Sequence, residues 1–209
     1  MTTATTMLWT GPAKAAATLL LAHGAGAPMD SPFMTFFAEG LAGRGVRVGR
    51  FEFPYMATRR ATGKRKPPDK LDVLMNTWRA VIAKHGGERS VIGGKSMGGR
   101  IASMIADEMN APGLVCLGYP FYGAGRRDKP RIAHLQTLRT PTLICQGERD
   151  AMGDRPSIDA VRLARAITLH WAADGDHDLK PRRASGRTHD ENLAAALDAV
   201  AAFLAGLTP

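Results

Sequence analysis

The stretch VIGGKSMGGR, residues 91–100, sets four glycines around Ser96. Glycine weakens strands and helices alike, so this crowding needs a reason beyond packing. A turn too tight for side chains supplies one. Gly94-Lys95-Ser96-Met97-Gly98 fits G-x-S-x-G, the nucleophile elbow, whose sharp strand-to-helix turn strains the serine backbone and exposes its hydroxyl. Positions two before and two after the serine must then lack side chains, because strand and helix pass close there. Gly94 and Gly98 make that room, and Gly93 and Gly99 ease packing beside it. A nucleotide phosphate loop fails on spacing, since no glycine stands five residues before Gly94.

A neutral serine is a weak nucleophile and needs a base, normally a histidine oriented by a carboxylate. LICQGERD ends one apolar run and delivers Asp150 on the following loop, with Asp154 as a second acid nearby. HWAADGDHD ends the next run and delivers His177. Both lie where strands give way to loops at their carboxyl ends, the edge at which open α/β sheets gather their chemistry. Asp174, Asp176 and Asp178 read as turn formers around His177. His85, His134, His170 and His189 read as surface or capping residues, and His23 as a structural hydrogen-bonding residue.

The elements that must position these groups alternate along the chain. Strands are predicted over 17–23, 46–53, 90–94, 113–119, 140–147 and 166–172. Most are nearly continuous in apolar character, as parallel strands buried on both faces require. TTATTMLWTGP could add one more at the N-terminus.

Between the strands fall helices with readable ends. Ser31-Pro32 precedes Phe33, Phe36, Phe37 and Leu41. Leu71, Leu74, Trp78, Val81 and Ile82 form a second stripe, stopped by Gly86-Gly87, and Ile101, Ile105 and Met109 mark a third directly after Ser96. Pro156 opens a fourth through Ile158 and Val161. Thr188 and Glu191 form a capping box for the last, whose Leu193, Leu197, Val200 and Leu204 share a face before Gly206. The charged, proline-containing stretch 57–70 reads as a loop. Strict alternation implies a mostly parallel α/β sheet of six to seven strands with helices on both faces, in a single domain spanning 1–209.

HGAGAPMDSPFM, GGKSMGGR, QGERDAMG and GDHDL together resemble the alpha/beta-hydrolase superfamily over nearly the whole chain. The likeness is greatest to its small, lidless dienelactone-hydrolase-like members, especially bacterial relatives of a eukaryotic chromatin-complex subunit group. The nucleophile-acid-histidine order agrees. The resemblance implies Ser96 as nucleophile, His177 as general base and acid, and Asp150 as the residue orienting His177. LLLAHGAG resembles the superfamily's oxyanion segment, which assigns the backbone N–H groups of Ala25 and Met97, with Gly24 and Gly26 shaping the loop. Lys95 departs from the usual elbow; an ion pair at the base of the site is its plain reading.

Tyr119 to Thr140 is the largest segment between the serine helix and the acid strand, and it is too short for a cap domain. The site should be open, with Met29, Phe33, Tyr55, Met56, Phe121, Tyr122 and Met152, which all follow strand ends, as candidate pocket walls. Packing in the core is the competing reading for each.

Composition narrows the class. The chain is 44% hydrophobic and 22% charged, and its longest apolar run, residues 15–22, is too short to span a membrane. Its flanks do not suit a signal peptide. Cys116 and Cys145 sit inside apolar runs as buried free thiols would, and the protein reads as cytoplasmic. The net charge of +9 is concentrated in residues 59–70, 126–131 and 180–187, each following a strand's carboxyl end. A positive entrance favouring an anionic substrate or acidic partner is one reading; solvated loops are the other. No nucleic-acid motif or aromatic stacking series accompanies the charge, and no metal-ligand cluster or nucleotide cofactor is implied. The expectation is a serine hydrolase acting on small esters or thioesters without a cofactor. A binding scaffold on the same frame is the alternative. The sequence does not fix an oligomeric state.

Overall fold

A computed structural model describes residues 5–86 and 90–207, so Gly87 of the expected helix stop lies outside the described residues. The apolar runs become β1 (Met7–Thr10), β2 (Thr18–Ala22), β3 (Arg47–Phe51), β4 (Ser90–Lys95) and β5 (Leu114–Leu117). A separate antiparallel hairpin, β6 (Tyr122–Gly123) and β7 (Arg126–Pro130), follows, then β8 (Thr142–Gly147) and β9 (Ile167–Ala172). Seven of these form one sheet in the order β1-β3-β2-β4-β5-β8-β9. β1 runs antiparallel to β3, with Met7 opposite Phe51, and every other pairing in this sheet is parallel.

The strands' alternation explains why they read as continuous runs. Leu20, Ala22, Ile92, Leu114, Cys116 and Ile144 face one core, while Leu19, Leu21, Val91, Val115, Leu143 and Cys145 face the other. α3 (Leu71–His85) and α4 (Met97–Ile105) cover the first, through Trp78, Val81, Ile101 and Ile105. α1 (Pro32–Ala42) and α6 (His189–Gly206) cover the second, through Phe37, Leu41, Leu197 and Val200. Burying each such aliphatic or phenylalanine side chain contributes about 1.5–3 kcal/mol. Trp78 is fully buried, its ring edge-on to Phe51 at 4.7 Å. Cys116 and Cys145 are free and buried, and burial pushes both thiols up, Cys145 to about 12.

α6 starts on the expected capping box: the Thr188 side chain accepts from the Glu191 N–H, and the Glu191 carboxylate accepts from the Thr188 N–H. Pro32 opens α1, but Ser31 makes no side-chain cap bond. α4 ends at Ile105, short of Met109, and α5 (Arg155–Asp159) is a short helix that stops before Val161.

Two stretches differ from the sequence reading. Residues 57–62, expected as loop, belong to α2 (Pro54–Thr62). Pro54 occupies the first turn, where its missing N–H costs nothing, and Arg59 and Arg60 lie in the last turn, where cations suit the helix dipole. Residues 126–130, read only as a charged loop, form the exposed strand β7. Between β5 and β8 the described residues hold that hairpin and a short 3₁₀ turn, and no cap domain. Among the described residues no helix is long and apolar enough to cross a membrane.

Candidate active site

β4 runs into α4 with only Ser96 between them, and that residue adopts φ 51°, ψ −115°. A positive φ on a non-glycine residue costs on the order of 1–3 kcal/mol and persists only where the surroundings impose it. Here the imposition is steric. A Cβ on Gly98 would collide with the carbonyls of Ala22 and His23, and one on Gly94 with Ala22 again. The end of β2 therefore lies directly against the turn, which cannot relax toward it.

The carboxyl ends of β8 and β9 bring up the other groups. His177 Nε2 lies 2.8 Å from Ser96 Oγ, and His177 Nδ1 lies 2.7 Å from Asp150 Oδ2. Asp150 is fully buried, whereas the His177 side chain keeps about a quarter of its surface exposed. A carboxylate only accepts, so Nδ1 must donate and Nε2 is left as the acceptor for the serine hydroxyl. Asp154 is otherwise engaged: it caps α5 by accepting from the Ser157 N–H and pairs with Arg127 at 2.7 Å. Asp176 accepts from the Asp178 and Lys180 N–H groups and Asp174 from Arg182, as turn formers do.

Gln146, to which the sequence reading gave no part, and Lys95, expected to form an ion pair at the base of the site, hold this arrangement in place. Gln146 is completely buried; its Nε2 donates to Asp150 Oδ2 at 2.8 Å, and its Oε1 accepts from the Tyr119 N–H at 2.7 Å. The signal was present, a lone amide at the end of an apolar strand. Lys95 Nζ donates to the His177 carbonyl at 2.5 Å and pairs with Asp178 at 3.0 Å, packing over the Phe33 ring. Burial lowers its pKa, and Asp178 opposes that shift. Gly118, at φ 66°, leaves the space: a Cβ there would press on the His177 carbonyl and on Lys95 Nζ.

Ala25 and Met97 border the same cleft as Ser96. Met97 is the first residue of α4, so its N–H has no intrahelical acceptor. The Tyr55 hydroxyl donates to the Ala25 carbonyl at 2.9 Å, and His23 accepts from the Phe53 N–H at 3.2 Å, fixing the loop that carries Ala25. Of the expected pocket walls, Met152 borders the cleft. Tyr55 and Phe121 do not, being core residues 2% and 1% exposed, and Phe121 packs edge-on to Tyr119. Met29 lines a separate depression with Glu52 and Arg60. His134, expected at the surface, is half-buried, 2.8 Å from Ser103 Oγ.

The basic segments do follow β3, β5 and β9, but acids answer much of their charge. Arg60 pairs with Asp30 and Glu52, Arg126 with Asp128, Arg127 with Asp154, and Arg182 with Asp174.

A family model described as an alpha/beta hydrolase domain matches residues 15–205. The chain belongs to the alpha/beta-hydrolase family. Among solved structures it resembles a serine hydrolase without a lid from Xanthomonas campestris, with 20% identity and a TM-score of 0.66, covering 93% of this chain and 87% of that one. A dienelactone hydrolase from Anabaena variabilis aligns at 19% identity and TM-score 0.70, over 96% and 90% of the two chains. Est1E from Butyrivibrio proteoclasticus, solved with ferulic acid bound, aligns at 13% and 0.70 over 96% of each. These likenesses show a shared alpha/beta-hydrolase fold.

Proposed function

We propose that this alpha/beta hydrolase cleaves small carboxylic esters or thioesters through an acyl-enzyme on Ser96. The observation that carries the reading is the unbroken path from Ser96 Oγ through His177 to the buried Asp150 carboxylate. In the first step His177 Nε2 takes the hydroxyl proton as Ser96 Oγ attacks the carbonyl carbon, and the tetrahedral oxyanion accepts from the Ala25 and Met97 N–H groups. His177 then returns the proton to the departing alcohol or thiol. Water, activated by the same imidazole, releases the acid and regenerates the serine. Asp150 holds the imidazole in the tautomer this cycle needs. A cytoplasmic location is the companion proposal, supported by two buried free thiols.

Labelling with a fluorophosphonate, followed by a panel of 4-nitrophenyl esters and thioesters, tests the proposal. The expected result is a mass shift on Ser96 with turnover of short acyl chains. An unlabelled serine in folded protein would instead favour a binding scaffold on the hydrolase frame.

Lys95 supplies a further expectation. Lys95→Met removes the hydrogen bond that holds the His177 backbone, so kcat should fall about 10- to 100-fold, since small displacements of catalytic groups are that costly. KM should change far less, because Lys95 lies beneath the histidine loop and does not border the cleft. Steady-state kinetics beside a thermal melt separate misplacement from unfolding.

A further inference from the structure

The cleft at Ser96 contains a cation, Arg100, that no carboxylate among the described residues answers. Arg100 lies in the first turn of α4, its N–H donating to the Ser96 carbonyl at 3.0 Å. Arg100 lines the cleft with Ser96, and its Nε is buried with no hydrogen-bond partner. Among the described residues no carboxylate pairs with it. Burial lowers its pKa, and Arg131, a second guanidinium bordering the cleft, acts in the same direction. Asp69 is the one carboxylate among the lining residues; its Oδ2 accepts from the Tyr55 N–H at 2.9 Å, and it forms no ion pair with either arginine. Elsewhere Arg60, Arg127 and Arg182 all have carboxylate partners. Burying the Nε of a guanidinium without a partner is costly, and a ligand can supply one.

The side of the serine on which this occurs identifies which part of a substrate would reach it. The leaving group must lie at His177 to be protonated, and His177 does not border this cleft. The acyl chain is what remains to occupy it. Adjacent turns of a helix are about 5.4 Å apart, and a short dicarboxylic acid such as adipate, of comparable length, is the probe of choice. We propose that Arg100, assisted by Arg131, binds a carboxylate at the far end of the acyl chain, so that the preferred substrates are monoesters or monothioesters of short dicarboxylic acids. This rests on the hydrolase reading above and specifies its substrate class.

The test compares 4-nitrophenyl hydrogen adipate with 4-nitrophenyl hexanoate, which match in chain length and differ in the terminal carboxylate. The wild-type ratio of kcat/KM, adipate over hexanoate, is expected to exceed about 10 at low ionic strength and to shrink with added salt, as one charge-assisted contact implies. Arg100→Gln should bring the ratio close to one, and Arg100→Lys should restore part of it. Arg131→Gln, an exposed position, should lower the ratio severalfold and serves if Arg100→Gln fails to fold in a thermal melt. A wild-type ratio near one, or a ratio unmoved in folded Arg100→Gln or Arg131→Gln, overturns the proposal. Turnover of hexanoate without preference for adipate removes the carboxylate subsite alone. No turnover of either ester, with Ser96 unlabelled by fluorophosphonate, removes the hydrolase reading and this one together.

Discussion

Ser96→Ala is expected to lower ester kcat by about 10⁵- to 10⁶-fold, the scale seen when the nucleophile of an intact triad is deleted. The size follows from what is lost and what is kept. Alanine removes the only atom able to form the acyl-enzyme, and His177 loses the hydroxyl 2.8 Å from its Nε2. The N–H groups of Ala25 and Met97 remain, as does the cleft, so binding persists and KM should move little. Alanine inherits the serine's strained φ of 51° and relieves none of it, so the melting temperature should stay close to wild type. Initial rates on a 4-nitrophenyl ester, with the spontaneous rate subtracted, give the number. Retention of more than a hundredth of wild-type kcat would mean that catalysis does not run through Ser96.

Asp150→Asn should cost about 10⁴-fold in kcat, and the hydrogen bonds of the site explain why so small a change does so much. Asp150 Oδ1 accepts from the Met152 N–H at 2.8 Å, while Oδ2 accepts from both His177 Nδ1 and Gln146 Nε2. In the variant the single amide oxygen can stay with Met152 only if the NH₂ group faces two donors. Gln146 cannot yield readily, because its Oε1 already accepts from the Tyr119 N–H. The imidazole must then accept at Nδ1, which places its proton on Nε2 and leaves nothing to receive the serine proton. kcat should fall with little change in KM, and raising the pH should restore little, since the defect is one of tautomer. Activity within tenfold of wild type would show that Asp150 does not orient the base.

Much of this was legible beforehand because it rests on local rules. The four glycines required a turn without side chains, and most of the parallel strands advertised themselves by being nearly continuous in apolar character. What escaped was set by tertiary context. α2 was hidden because Arg59 and Arg60 resemble a solvated loop until Glu52 and Asp30 are placed beside Arg60 and the Gly26 carbonyl beside Arg59. Tyr55 and Phe121 follow strand ends, as pocket residues do, yet both turn into the core, and sequence position carries no sign of that direction. Gln146 and Lys95 were visible as polar residues at strand ends, but Gln146 turns onto Asp150 in the loop that follows it, and Lys95 reaches the His177 loop 82 residues away. Arg100 escaped because a single cation inside a helix carries no sign in sequence that its Nε lacks a partner.

β9 is the last strand of the sheet, paired on one side only, and its residues from Ile167 to Trp171 are at best half-buried. The loop it feeds carries His177. Edge elements open at lower free energy than the centre of a sheet. Mild denaturant should therefore silence turnover at a midpoint below that of far-ultraviolet ellipticity, with catalytic failure running ahead of collapse. Coincident midpoints would mean instead that this margin is as firmly held as the middle.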